Sequence, residues 1–407
     1  MNILIVCQHF YPEQFQINDI APALVQRGHN VTVLTGLPNY PKGDVFDGYD
    51  DPSNRKRLDE KYEEQYGVRI IRCSMRPRKK GVKNLMLNYV SFAYNARKVV
   101  AKLNGDYDIV LSYQLSPITM AIPAIVYKNR WKRPLLLYCL DLWPESAKAH
   151  IKKPFDLLYK FICLLSGNIY NKCDSILVTS RPFIEYLNKN NRVPLSKLAY
   201  LPQHADSSMI SMNLTAEDNG VADFMFAGNL GAGQNLTTIV EAAAILGSRP
   251  DYKIHFVGDG SQRELLEKMT KDYNLQKNIV FHGNQKRENM PSFYKMADAL
   301  LITLRGNNFV GNTMPGKMQM YMTTGKPIFG AINGAANEVI SESGCGKSVA
   351  SGDYKGLAEL MREYIETPDR YAQCGEKARD YFMKHFTQEI FIDKLENELM
   401  SLLKTDI

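Results

Sequence analysis

Short apolar runs alternate with amphipathic stretches along nearly the whole chain. "NILIVCQ" (2–8) precedes "QINDIAPALVQRGHN" (16–30), a predicted helix stopping at Arg27-Gly28, and then the strand run "VTVLTG" (31–36). The alternation continues through "YGVRIIRC" (66–73), a long helix near 84–103, "YDIVLSY" (107–113), a helix after Pro117 and "PLLLYCLD" (134–141). A further helix leads to "SILVTS" (175–180). Unbroken apolar runs without a polar face predict strands of a parallel sheet covered by helices on both sides.

The theme restarts at "DFMFAGNLG" (223–231). Helix 235–247, strand 252–260, helix 261–274, strand 278–283, helix 288–296, strand 299–304, helix 317–324 and strand 327–330 follow. "GKSVASGD" (346–353) carries a last short strand, and helices fill 354–404. The fold class this predicts is α/β, with two doubly wound, Rossmann-like domains facing a cleft. The boundaries read as domain 1–204, a polar hinge at 205–220, domain 221–375, and helices over 376–407 that pack back toward the first domain. Doubly wound sheets bind ligands beyond the carboxyl ends of their strands, so the loops there are the candidate site.

Composition adds limits. The 407 residues are 45% hydrophobic and 23% charged, as in ordinary globular proteins. A net charge of +7 is a mild bias; it suits a phosphorylated ligand or an anionic membrane surface and does not argue for nucleic acid. Seven scattered cysteines without a C-x-x-C pair predict reduced, buried thiols in a cytosolic protein. The N-terminus reads as a strand, not a signal peptide, and no apolar run reaches membrane-spanning length, so a soluble chain is expected. No H-x-x-x-H, H-E-x-x-H or G-x-S-x-G occurs, which leaves metal and serine hydrolases without support.

The strand ends hold the candidate chemistry. "FAGNLGAGQNL" (226–236) is strand, glycine-rich turn and helix; free N–H groups there would meet phosphate, although such turns also serve simple chain reversal. "VGDGSQ" (257–262) is a second such turn, with Gly258 and Gly260. "GNTMPGKM" (311–318) fits seven positions of the phosphate-loop pattern G-x-x-x-x-G-K-[ST]. Met318 stands where a magnesium-binding hydroxyl belongs, so Arg305 and Lys317 are read as neutralising a diphosphate without metal. In "YCLDLWPESA" (138–147), Asp141 and Glu145 are candidate acids or bases, with helix capping as the alternative for Asp141. Trp143 either stacks on a sugar or packs under its loop. "QHFYPEQ" (8–14) and "TGLPNYPKG" (35–43), with His9, Tyr11, Asn39 and Tyr40, suit a neutral polyhydroxylated ligand or ordinary turns. "RPRKKGVKNLMLNYVSFAYNARKVVAK" (76–102), with Arg76, Arg78, Lys79, Lys80 and Lys83, resembles an interfacial membrane segment; a core helix after a basic loop is the alternative.

The motifs "TGLPNYPKG", "DLWPES", "LPQHAD", "GNLGAGQNLTTIVEAA", "FVGDGS" and "MPGKMQMYMTTGKPI" together make the chain resemble GT-B glycosyltransferases of bacterial capsule and O-antigen synthesis, near the N-acetyl-L-fucosamine transferases. The resemblance implies a metal-independent, retaining transfer from a UDP-sugar, such as an N-acetylated deoxyhexose, to a polyprenyl-diphosphate-linked acceptor at the cytoplasmic face of the membrane. It places the donor diphosphate at Gly228, Asn229, Leu230 and Gly231 and at Thr313, Met314, Pro315, Gly316 and Lys317, with Gln234 and Arg305 read beside it as further donor contacts. The nucleobase falls near His282 and Gly283, and the acceptor near His9, Asn39 and Asp141. Two departures stand out. Asn229 and Gln234 replace an Arg and a Lys, and Asn312 and Met320 replace two glutamates, the second of which binds ribose in relatives. A nucleotide-sugar epimerase and a catalytically silent nucleotide-sugar binder are the rival readings.

Overall fold

The computed structural model describes residues 1–79, 81–146, 156–306 and 313–405. The chain divides into two compact units, one of Met1–Leu201 with the segment from Ile392 onward, the other Pro202–Phe391. The predicted hinge segment belongs to the second unit, and so does the helix Cys374–His385, whose Phe382 is buried in that unit's core.

Unit 1 is a seven-stranded parallel sheet in the order β3-β2-β1-β4-β5-β6-β7. Its strands are β1 Asn2–Val6, β2 Asn30–Thr35, β3 Val68–Arg72, β4 Ile109–Gln114, β5 Leu135–Cys139, β6 Ser175–Val178 and β7 Leu198–Tyr200. Its helices are α1 Ile17–Gln26, α2 Pro52–Tyr66, α3 Val82–Val100, α4 Ile122–Trp131, α5 Asp156–Asn171 and α6 Arg181–Asn191. Ile3 to Val6 and Leu135 to Leu137 are fully buried, as expected of central strands covered on both faces. The sequence pattern does not predict α2. Its residues PSNRKRLDEKYEEQY are almost wholly polar and only Tyr62 is buried, so there is no apolar stripe to detect. Asp51 caps it by accepting from Ser53 N at 2.9 Å, and Gly67 ends it at φ 69°.

Unit 2 is a six-stranded parallel sheet in the order β10-β9-β8-β11-β12-β13. The strands are β8 Ala222–Ala227, β9 Tyr252–Val257, β10 Ile279–Gly283, β11 Ala299–Thr303, β12 Ile328–Ala331 and β13 Gly346–Val349. The helices are α7 Thr237–Leu246, α8 Arg263–Asp272, α9 Met290–Met296, α10 Gly316–Thr324, α11 Gly334–Ser343, α12 Tyr354–Glu366, α13 Cys374–His385 and α14 Gln388–Thr405, which runs on into unit 1. One face carries a core with Phe224, Phe226, Phe256 and Phe329, the other a core with Met225, Ile302, Met318, Tyr321 and Phe382. In each unit the strand order reverses beside the first strand, between β1 and β4 and between β8 and β11. Ligands of doubly wound sheets gather at that reversal.

Candidate functional site

In unit 2 the loops after β8, β9 and β11 converge. A side chain at Gly258 would place its Cβ 2.0 Å from the Gly228 carbonyl oxygen, and one at Gly260 would meet Leu230 O at 2.7 Å. The two glycine turns therefore pack backbone to backbone. Arg305 N donates to Gly233 O at 2.9 Å and Thr303 Oγ1 to Gln234 O at 2.6 Å, which ties the first turn to the end of β11. Lys317, in the first turn of α10, reaches back so that its Nζ lies beside Gly228, 2.5 Å from Gln234 Oε1 and 3.8 Å from the centre of the Phe226 ring. No carboxylate pairs with Lys317 among the described residues. Burial pushes its pKa down from 10.5 to about 7. Met318 is fully buried in the core, so this position presents nothing to a cation.

The glycine turns leave fewer N–H groups free than the sequence leads one to expect. The N–H groups of Gly228, Leu230 and Gly258 are already bonded to Val257 O, Asp259 O and Gly283 O at 2.8–2.9 Å, and Gly260 N to Asp259 Oδ1 at 2.7 Å. The side chain of Leu230 lies in the core. These groups cannot cradle an anion. Asn229 and Gly231 keep N–H groups that bond nothing among the described residues, so they and Lys317 are the donors left. Pro315 precedes α10, whose first N–H groups at Gly316 and Lys317 also lack intrahelical partners. Met314 packs on the core, and Thr313 is likewise within the described residues. Asn312 lies outside them.

A cavity of about 380 Å³ opens beside this constellation, lined by Ala227, Gly228, Asn229, Val257, Gly258, Asp259, Asn284, Gln285, Met290 and Tyr294. Its size is that of a small-molecule site. Sequence reasoning did not single out Asp259, Asn284, Gln285, Met290 or Tyr294; the last two stand on the helix predicted at 288–296, where Tyr294 is buried. His282 is not among the lining residues. Its Nε2 is 2.9 Å from His255 Nδ1, and His255 Nε2 is 2.8 Å from Asp223 Oδ1. Burial, and then the neighbouring His255, lower the pKa of His282, so the ring stays neutral within this chain. Gly283 supplies the oxygen for Gly258 N, and the following residues, Asn284 and Gln285, face the cavity instead.

In unit 1 the loop after β1 carries His9, 3% exposed, with Nδ1 at 3.0 and 3.1 Å from the two oxygens of Glu13. Glu13 Oε1 also accepts from Asn39 N at 2.8 Å and Tyr40 N at 2.7 Å. Asn39 is fully buried, and its amide is taken up by Leu37 O and by Arg78 N at 2.7 and 2.9 Å. It ties the loop after β2 to the basic segment. Tyr40 is 37% exposed, whereas Tyr11 packs on Tyr62 at 4.3 Å. Asp141 accepts from Ser116 Oγ at 2.7 Å, and Ser116 Oγ accepts from Trp143 Nε1 at 3.1 Å. Trp143 is 9% exposed, so it packs under its loop. Glu145 Oε1 accepts from Tyr186 OH at 2.8 Å and Tyr159 OH at 3.2 Å. That makes it a structural anchor for the loop.

Helix α3 has two faces. Leu85, Asn88, Tyr89, Phe92, Ala96 and Val100 are buried. Val82, Met86, Val90 and Tyr94, spaced by four, are 56%, 46%, 59% and 56% exposed. Arg76, Lys79 and Lys83 are exposed nearby, and Arg78 covers the Tyr40 ring at 5.4 Å. Lys80 lies outside the described residues. No helix among the described residues is long and apolar enough to cross a membrane, and no cluster of three His, Cys, Asp or Glu fit for a metal occurs among them.

Comparison with known proteins agrees with this division. The family described as Glycosyl transferases group 1 matches residues 212–381, and that described as Glycosyl transferase 4-like domain matches residues 14–204. A chain described as the colanic acid biosynthesis glycosyl transferase WcaI of Escherichia coli K12 is 21% identical over 359 residues, 80% of this chain and 82% of that one. N-acetyl-alpha-D-glucosaminyl L-malate synthase of Bacillus anthracis is 24% identical over 168 residues, which span 42% of its length. Among solved structures, Anabaena Alr3699/HepE in complex with UDP superposes with TM-score 0.71 at 15% identity, covering 98% of this chain and all of that one. The lipopolysaccharide outer core galactosyltransferase WaaB superposes at 0.68 with 13% identity, covering 98% and 99%.

Proposed function

The chain is a group 1 glycosyltransferase of the GT-B fold, and from that premise we propose that it moves a sugar from a UDP-sugar to a lipid-diphosphate-linked saccharide in surface polysaccharide synthesis. The observation that carries the donor half is the meeting of the Gly228 turn, Gln234 and Lys317 beside the 380 Å³ cavity. The solved relative that holds UDP supports uridine as the base. Asn284 and Gln285 offer amides to a base edge, with Met290 and Tyr294 as apolar wall. Asp259 is the carboxylate among the lining residues and the group assigned to the ribose hydroxyls, since Met320 packs on the core. The likeness to WcaI favours a surface-polysaccharide acceptor and leaves an N-acetylated deoxyhexose as the donor sugar to test first.

The chemistry follows from charge. The bond between the anomeric carbon and the diphosphate oxygen breaks, a bond to the acceptor oxygen forms, and the acceptor proton passes to the departing diphosphate. Charge therefore builds on the diphosphate, where Lys317, Arg305 and the free N–H groups of Asn229 and Gly231 stabilise it. These donors replace the role of a metal, and the transfer retains anomeric configuration as the resemblance implies. The loops of His9, Tyr40 and Asp141 take the acceptor. A thermal-shift screen of nucleoside diphosphates tests the donor assignment. UDP is expected to raise Tm above the others by mass action; no shift with any of them would overturn it.

The α3 face is assigned to the anionic membrane surface that presents a polyprenyl acceptor. Four exposed apolar side chains beside exposed Arg76, Lys79 and Lys83 fit headgroups and acyl chains together. Each basic side chain near an anionic surface contributes about 1 kcal/mol. Met86→Glu with Val90→Glu is expected to release the protein from phosphatidylglycerol vesicles in cosedimentation while leaving UDP binding intact. Undiminished cosedimentation would remove the assignment.

A further inference from the structure

We propose that Glu13 is a positioning residue for His9: its carboxylate fixes the ring in the tautomer whose Nε2 accepts a hydrogen bond, and fastens the turn at Asn39 and Tyr40 beside it. The proposal rests on reading unit 1 as the acceptor side with His9 in the reacting site. Glu13 is not a sequence candidate.

Three observations converge. First, the Glu13 and His9 side chains are only 1% and 3% exposed, so this pair is held away from bulk water. A buried carboxylate is costly unless hydrogen bonds satisfy it. Second, Glu13 Oε1 receives two backbone N–H groups, Asn39 at 2.8 Å and Tyr40 at 2.7 Å, which can only donate. The oxygen that faces them acts as an acceptor alone. His9 Nδ1, 3.0 Å from Oε2, must then carry the hydrogen. Third, Nε2 bonds no protein group among the described residues, and it is not among the fully enclosed polar atoms without partners. The ring is clamped by Phe15, stacked at 5.2 Å and 20°, and by Tyr40 at 5.7 Å. One nitrogen is thus anchored, the plane is fixed, and the other nitrogen is left to accept from a hydroxyl.

The same carboxylate binds the 39–40 turn through Oε1 and the His9 ring through Oε2. Asn39 in turn accepts from Arg78 N at 2.9 Å, so the loop after β1, the loop after β2 and the basic segment share one anchor. Removing the charge while keeping the shape separates the two roles. Glu13→Gln can keep an oxygen for the two N–H groups but presents an NH2 to Nδ1, which reverses the tautomer and puts the hydrogen on Nε2.

The test is nitrogen NMR of the histidine-labelled full chain, joined to kinetics. In the unaltered protein His9 is expected to show a protonated Nδ1 and an unprotonated Nε2; a hydrogen on Nε2, in the reverse tautomer or in the doubly protonated ring, would overturn the proposal without need of any variant. Glu13→Gln is expected to exchange the two signals, to lower kcat by about tenfold, the worth of one orienting hydrogen bond, and to leave donor KM within about twofold. An exchanged tautomer with unchanged kcat would also overturn it. His9→Ala tests the underlying reading separately: full activity in that variant removes His9 from the reacting site, whatever tautomer Glu13 imposes.

Discussion

Lys317→Ala is expected to weaken UDP binding roughly 10- to 100-fold, the equivalent of one charge-assisted hydrogen bond of about 1.5–3 kcal/mol. The side chain is held by an amide oxygen and an aromatic face, without a carboxylate, and its pKa is lowered to about 7. At pH 8 the free enzyme therefore carries mostly the neutral amine. An arriving diphosphate favours the charged form and raises the pKa again. Binding should take up close to one proton at pH 8 and almost none at pH 6, and UDP affinity should fall as pH rises through about 7. Calorimetry in buffers of different ionisation enthalpy reads this directly. In the alanine variant the uptake should vanish. Unchanged affinity and unchanged uptake would show that Lys317 does not touch the phosphates. Stability has the opposite sign of pH dependence at this residue. The folded-state pKa lies below the unfolded one, so the burial penalty is complete below about 7 and fades as pH rises toward 10.5.

Gly258→Ala is expected to be strongly destabilising. Gly258 sits at φ +137°, and its Cβ would lie 2.0 Å from the Gly228 carbonyl oxygen. Neither atom can move without parting β8 from β9, because Gly228 N is bonded to Val257 O and Gly258 N to Gly283 O. Backbone strain and the clash together should cost about 3 kcal/mol or more and abolish UDP binding. Gly233→Ala is the control, since a Cβ there meets nothing within 4 Å. It should melt as the unaltered protein does. A Gly258→Ala protein that melts normally and binds UDP would refute the close packing of the two turns.

The sheets were legible because their strands are buried on both faces and so read as unbroken apolar runs, Ile3 to Val6 and Leu135 to Leu137 among them. Helix α2 was not, since a helix that buries only Tyr62 leaves no periodic signal. The loops proposed for the donor were legible as glycine turns, but the reason for the glycines was not. Gly258 and Gly260 serve contact between two backbones as much as access for a ligand, and Gly228 N, Leu230 N and Gly258 N are spent inside the loops. Met318 looked like a defect in a phosphate loop; it is a core residue one position after Lys317. On the other side, Trp143 and Asn39 carried the right residue types for sugar contact yet are buried and bonded within unit 1. Glu13, which organises that loop, needs three-dimensional pairing with residues 26 and 27 positions away to be seen at all.

The most direct test of transfer from a UDP-sugar to a lipid-linked saccharide is mass spectrometry of the products formed from UDP-sugars, with and without a polyprenyl-diphosphate-linked saccharide. A glycosylated lipid product and free UDP, formed only when the acceptor is present, is the result expected. Conversion of the free nucleotide sugar without acceptor, or no product from any donor that binds, would contradict it.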